Sequence, residues 1–236
     1  MLCHKVRRVL STATFTSGML PPSDERLRYP VELDKPIKSN ADFSLFPSPR
    51  IIVPTFELTK RLGSFVSQAI YQLFYESSFD RERFVHAANE GLSLLGECVA
   101  NGEWGRMELI ATKSLVERAE MARKNFSADQ LDLLRFQPHD VALSFLHSSF
   151  ISLRNFNRKC DHGIVCVYFT IVSFIRLNDS VPYEVTMSQL LNDFTSSVLV
   201  SNVTFARNLS PLGQWRATNV NYFVVGAIGR KYQCNT

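Results

Sequence analysis

VALSFLHSSFISL, residues 141–153, is where the chain changes its period. Val141, Leu143, Phe145, His147, Ser149, Ile151 and Leu153 alternate with Ala142, Ser144, Leu146, Ser148, Phe150 and Ser152. A repeat of two sends successive side chains to opposite faces, so this stretch predicts a long strand with one strongly apolar face. Downstream, a polar turn over 155–163 leads into 164–176, which is apolar on both faces and reads as a central strand. Two more β-like runs, 197–208 and 214–225, are joined by a Leu-Ser-Pro-Leu-Gly turn at 209–213. The piece between the central strand and these runs, 185–194, reads as a loop or a short helix.

Upstream of Pro138 the period is that of a helix. Thr55 can cap a helix in which Phe56, Leu62, Phe65, Val66, Ala69, Ile70, Leu73 and Phe74 recur at helical spacing. Asp80 opens a second helix with the stripe Phe84, Ala88, Leu92, Leu95 and Val99, closed by Asn101-Gly102. A third runs from Trp104 to about Lys124, and Ser127-Ala-Asp-Gln130 has the form of a capping box for a short fourth through Phe136. Helices followed by consecutive antiparallel strands predict one α+β domain over 55–236, its helices packed on one face of a curved sheet.

The composition agrees: of 236 residues, 45% are hydrophobic, 11% aromatic and 20% charged. No uninterrupted apolar run reaches the ~18 residues of a membrane span. The five cysteines, Cys3, Cys98, Cys160, Cys166 and Cys234, include no CxxC pair and read as reduced thiols. Formal net charge is +4, yet residues 61–236 hold 17 Lys/Arg against 16 Asp/Glu, so most of the excess sits near the N-terminus. A near-neutral domain argues against nucleic acid as a partner.

Residues 1–20 read as a mitochondrial presequence. Lys5, Arg7 and Arg8 oppose a Leu2, Val6, Val9, Leu10 face, Ser and Thr follow, and the first carboxylate is Asp24. Arg8-Val-Leu-Ser11 suits a matrix-peptidase cut after Leu10. Residues 21–54 hold seven of the ten prolines and read as an extended, disordered linker.

The strings Leu73-Phe-Tyr-Glu-Ser-Ser-Phe-Asp80, Phe84-Val-His-Ala-Ala-Asn-Glu-Gly91, Leu94-Leu-Gly-Glu-Cys98 and Trp104-Gly-Arg-Met-Glu-Leu-Ile-Ala-Thr-Lys-Ser-Leu115 resemble the m-AAA protease-interacting protein family of the mitochondrial matrix. The Val165-Cys-Val-Tyr-Phe-Thr-Ile-Val-Ser-Phe174 strand and Trp215 ahead of the last strand fit the same pattern, so the resemblance spans about 69–232. It implies a cone-shaped α+β domain similar to nuclear transport factor two, shared with the import motor's membrane anchor and a mitochondrial ribosomal protein. It implies no catalytic residue and no cofactor. The implied partners are the inner-membrane AAA protease and a small single-span inner-membrane client, a subunit of the calcium uniporter. The implied place is the matrix, peripheral to the inner membrane. The 185–194 region and the linker depart from the family pattern.

Two candidate sites follow from the residues themselves. Lys60, Arg61, Phe65, Tyr71, Phe74 and Tyr75 set cations and aromatics on one helix, which suits a partner or an anionic membrane surface. Phe145, His147, Phe150, Tyr168, Phe169, Phe174 and Trp215 would line a hydrophobic pocket in the curved sheet. An enzymatic alternative, by analogy with cone-fold isomerases and dehydratases, would use His147 with Asp140 or Asp193. Cys160, Asp161, His162 and Cys166 lack the second ligand pair of a structural zinc site, so no metal is expected. No P-loop, nucleophile elbow or dinucleotide fingerprint occurs.

Overall fold

In the computed structural model, residues 43–53, 58–152, 165–182 and 184–224 are described. The presequence, most of the linker, the Thr55 cap, the 155–163 turn and the Cys160/His162 cluster lie outside them. The chain runs through α1 (Leu58–Phe74), α2 (Arg81–Asn101), α3 (Trp104–Met107), α4 (Lys113–Arg123), α5 (Ala128–Asp132) and a 3-10 turn at Pro138–Asp140. β1 (Val141–Ser152), β2 (Cys166–Arg176), α6 (Met187–Asn192), β3 (Val198–Asn208) and β4 (Arg216–Val224) follow. The domain is α+β: the strands form one open antiparallel sheet in the order β1-β2-β3-β4.

Local chemistry explains most boundaries. The Asp80 carboxylate accepts from the Glu82 and Arg83 amides at the start of α2, and Gly102 ends the helix at φ 76°, a conformation that disfavours side chains. Ser127 and Gln130 form the capping box of α5, while Thr186 and Gln189 form another that makes the 185–194 region a short helix. Gly96 allows close approach, since a Cβ there would stand 2.5 Å from the Leu134 carbonyl oxygen. Between α3 and α4 the expected single helix is broken. Ala217 N–H donates to Ile110 O at 2.8 Å and Thr112 N–H to Ala217 O at 2.9 Å, so this piece of backbone pairs with β4 instead.

The sheet separates two apolar layers. Val167, Phe169, Ile171, Leu199, Val203, Phe205, Val220 and Tyr222 face α2, α4 and α5, burying Leu92, Leu95, Val99 and Leu115 between them. Val172, Phe174, Val198, Val200 and Phe223 face the other way, under α6 and Ile51 and Ile52.

Residues 43–53 differ from the expected free linker. Leu45 N–H donates to Tyr222 O and Val224 N–H to Phe43 O, covering the outer edge of β4, and the Phe43 and Leu45 side chains are buried. The strap then crosses the sheet, held by two buried amides. Asn221 accepts from Phe46 N–H at 2.8 Å and donates to the Phe46 and Pro49 carbonyls at 3.0 and 2.7 Å. Asn202 accepts from Ile51 N–H at 2.6 Å and donates to Ile51 O at 2.8 Å. Prolines withhold N–H groups but keep their carbonyls, so side-chain amides replace a ladder that the backbone cannot complete. Asn221→Leu keeps the branching of the side chain but strips three backbone groups of partners. It is expected to cost about 3 kcal/mol and to speed proteolysis within 46–53. Urea unfolding with limited proteolysis measures both; unchanged cleavage would mean the strap is held elsewhere.

Candidate functional site

β1 is an edge strand, and its outward N–H groups need partners. α1 supplies one with a polar stripe. The Ser149 amide donates to Ser64 Oγ at 2.9 Å, the Ser149 hydroxyl donates to Ser64 O at 2.8 Å, and Gln68 Nε2 donates to Ser149 Oγ at 3.1 Å. One turn on, Tyr71 is fully buried, its ring edge-on to Phe79, Phe169 and Trp215. Its hydroxyl donates to Glu76 and accepts from Arg207 Nη1 at 2.6 Å, and Arg207 also pairs with Glu76 at 2.8 Å. Burial and the Glu76 carboxylate hold the Tyr71 phenol well above its ordinary range.

Because Ser64, Gln68 and Tyr71 point inward, the apolar stripe of α1 points out. Leu58 is 80% exposed, Phe65 70%, and Leu73 and Phe74 each 76%, with Leu62, Val66 and Ile70 also exposed. The spacing predicts an amphipathic helix, and one is there, but its apolar face turns away from the core. Edge capping demanded hydroxyls and an amide, and the helix rotated to deliver them. Scattered surface leucines are ordinary; a continuous helical face of them is not.

Hollows flank α1 where it crosses β1. One of about 400 Å³ is lined by Arg61, Phe65, Gln68, Arg81, Phe145 and His147, among others. A second, of about 520 Å³, lies against Gly63, Ser67, Ile70, Phe150 and Ile151. His147 borders both, at the register shift where β1 carries one residue more than β2 between Leu146 and Ser148.

Of the residues proposed for a helical interface, Arg61, Phe65 and Phe74 are exposed on α1. Tyr71 is core, and Tyr75, just past the helix, is stacked 6.4 Å from it. Lys60 lies in the first turn, its side chain outside the described residues.

The expected sheet pocket is not one pocket. Phe145, Phe150, Tyr168 and Phe174 lie on the α6 side, whereas Phe169 and Trp215 belong to the helix-side cluster. Tyr168 and Phe169 are adjacent in a strand, so the pleat sends them to opposite faces. Phe174 is sealed beneath α6, and Phe150, 49% exposed, stacks on Tyr168 with ring centroids 4.6 Å apart.

Sequence reasoning missed Ser64, Gln68, Asn202, Asn221 and Arg207. Asn202 within an apolar strand run was the visible signal, since a buried amide needs partners.

The acid–base alternative finds no assembled geometry. Asp140 accepts from the Gln137 amide at 2.7 Å, at the head of β1. His147 lies seven residues further down, roughly 23 Å along a strand. Neither Asp140 nor Asp193 lines the hollows beside His147. Burial pushes the Cys98 thiol up to about 11, so it stays protonated at neutral pH. Cys166 is buried with Sγ 3.2 Å from Asn208 Oδ1, and among the described residues no group of three His, Cys, Asp or Glu could hold a metal. Nor, among the described residues, is any helix long and apolar enough to cross a membrane. No protein-family model matches the sequence, and no curated protein matches it.

Proposed function

We propose that the protein is a non-enzymatic adaptor of the mitochondrial matrix that docks other polypeptides on the outward face of α1. In this reading it works beside the inner-membrane AAA protease, peripheral to the membrane. It assists biogenesis or insertion of a small single-span inner-membrane protein, a calcium uniporter subunit. The α+β domain would be of the cone type similar to nuclear transport factor two. The observation that carries the binding role is the exposed apolar stripe of Leu58, Leu62, Phe65, Leu73 and Phe74. A stripe of that kind is what a partner helix or an unfolded apolar segment covers. The basic, acid-free N-terminus and the resemblance to the matrix family supply the compartment and the partners.

The test is affinity purification of the full chain from mitochondria, wild type against a Leu73→Asp/Phe74→Asp variant. Both side chains are largely in solvent, so the fold is expected to survive unchanged. Losing two apolar anchors is expected to lower recovery of the AAA protease by about tenfold or more. Equal recovery from both, or no protease from either, would reject the assignment.

A further inference from the structure

We propose that α1 pairs with α1 of a second copy, antiparallel about a two-fold axis at Val66, so that the protein alone in solution is a dimer. Val66 is the middle residue of the 17 in the helix. Leu62, Val66 and Ile70, spaced by four, form a ridge across the centre of the exposed face, and Leu58 and Phe74 continue it to the two ends. Ridges of this spacing interlock with their like in the commonest class of helix packing. Antiparallel pairing about Val66 sets Leu58 level with Phe74 of the second copy, and Leu62 level with Ile70. A face that is apolar on both sides of its own midpoint is complementary to itself, which is what a two-fold interface requires.

Area and charge both favour this occupant. Leu73 and Phe74 are three-quarters exposed, and each such side chain leaves on the order of 150 Å² in water. The whole stripe then offers roughly 900 Å², more than the ~300–600 Å² of the largest apolar patch on an ordinary monomer. It matches the ~800 Å² that each partner covers in a standard interface. Residues 62–75 carry no charge, and the helix's own cations, Lys60 and Arg61, lie at its N-terminal end. Antiparallel pairing keeps the two cationic ends roughly 16 Å apart by the helical rise, beyond the ~8 Å Debye length. Parallel pairing would bring them side by side, so charge selects the direction. Because the face that pairs is also the face assigned to partner polypeptides, a partner has to displace the second copy, and the dimer is the idle form.

Sedimentation velocity of the full chain reads the association directly. The wild type is expected to dimerise with a Kd of about 10 μM or tighter. Val66→Asp sets two carboxylates against each other at the axis and is expected to weaken the dimer by about tenfold or more. Mixing Val66→Asp with Val66→Lys is expected to restore it, since opposite charges then meet; a misfolded variant could not be rescued in this way. Cross-linking fixes the register. On oxidation Val66→Cys should join two copies in a band absent from wild type, whereas Leu58→Cys should not, lying roughly 24 Å from its mate. A wild type that stays monomeric through the micromolar range overturns the proposal, as does a dimer indifferent to Val66→Asp. So does an Asp–Lys mixture that stays monomeric, or cross-linking at Leu58 in place of Val66. A monomer that instead floats with phosphatidylcholine–cardiolipin vesicles through this stripe also overturns it, because the occupant would then be lipid. None of these measurements involves the AAA protease, so the dimer can fail while the adaptor role stands, and the adaptor role can fail while the dimer stands.

Discussion

Arg207→Ala is expected to remove about 3 kcal/mol or more of folding stability, toward the 3–5 kcal/mol typical of orphaning a buried ionic partner. Arg207 is buried on β3, where its guanidinium serves three acceptors: Glu76, the Tyr71 hydroxyl and, through Nε at 2.8 Å, the Gly213 carbonyl. It also lies 5.8 Å from the Trp215 ring centre. Truncation takes a donor from a carboxylate, a phenol and a carbonyl at once, and leaves the Glu76 carboxylate with the Tyr71 hydroxyl but without its cation. Glu76 keeps a quarter of its side chain in water, which places the loss at the lower end of that range. For a domain of this size, the melting point should fall by roughly 10 °C. The diagnostic comparison is Arg207→Met with and without Glu76→Gln. Neutralising the stranded acid is expected to restore part of the loss, giving a non-additive cycle. Additive effects, or a change below about 1 kcal/mol for Arg207→Ala, would mean that the triad contributes little to holding α1.

Phe169→Ala is expected to be as damaging, at about 3–5 kcal/mol. The ring is fully buried, with centroids of Tyr71, Phe79, Phe84 and Trp215 at 5.5, 5.3, 5.0 and 5.2 Å. Four aromatic neighbours cannot collapse into the vacated space without tilting one another, so the cavity persists and the edge-to-face contacts are lost with it. Phe169→Leu should cost about half as much, since most of the volume stays filled. Urea denaturation followed by tryptophan fluorescence reads both, Trp215 reporting from within the cluster. Equal, small losses from both substitutions would show that the cluster repacks freely. Because Tyr71 of α1 leans on Phe169, the alanine variant should also loosen α1, unlike Leu73→Asp/Phe74→Asp, which alters its outer face alone.

Much of this fold is legible in the chain because its signals are local. Asp80, Gly102 and Ser127 mark helix ends through hydrogen bonds to their own neighbours, and the alternation over 141–153 needs no partner to be read. What stayed hidden depends on distant pairs. The period of α1 shows that one face is apolar, yet not which way that face turns; Ser149, 85 residues beyond Ser64, decides it. The break between α3 and α4 comes from Ala217, and the ordering of the strap from Asn202 and Asn221, all far along the chain. The division of the expected pocket was a different matter. Neighbours in a strand cannot share a face, and the pairing of Tyr168 with Phe169 already said so.

The strap also sets a limit on how far the chain could be shortened from its N-terminal side. A scissile bond ahead of Phe43 would spare the β4 edge its only neighbour among the described residues in that stretch, the Phe43–Leu45 backbone. A nick past Leu45 would bare the Val224 N–H and the Tyr222 carbonyl on a strand that carries valine and aromatic residues. Trimming carried too far would turn a finished domain into a template on which others stack.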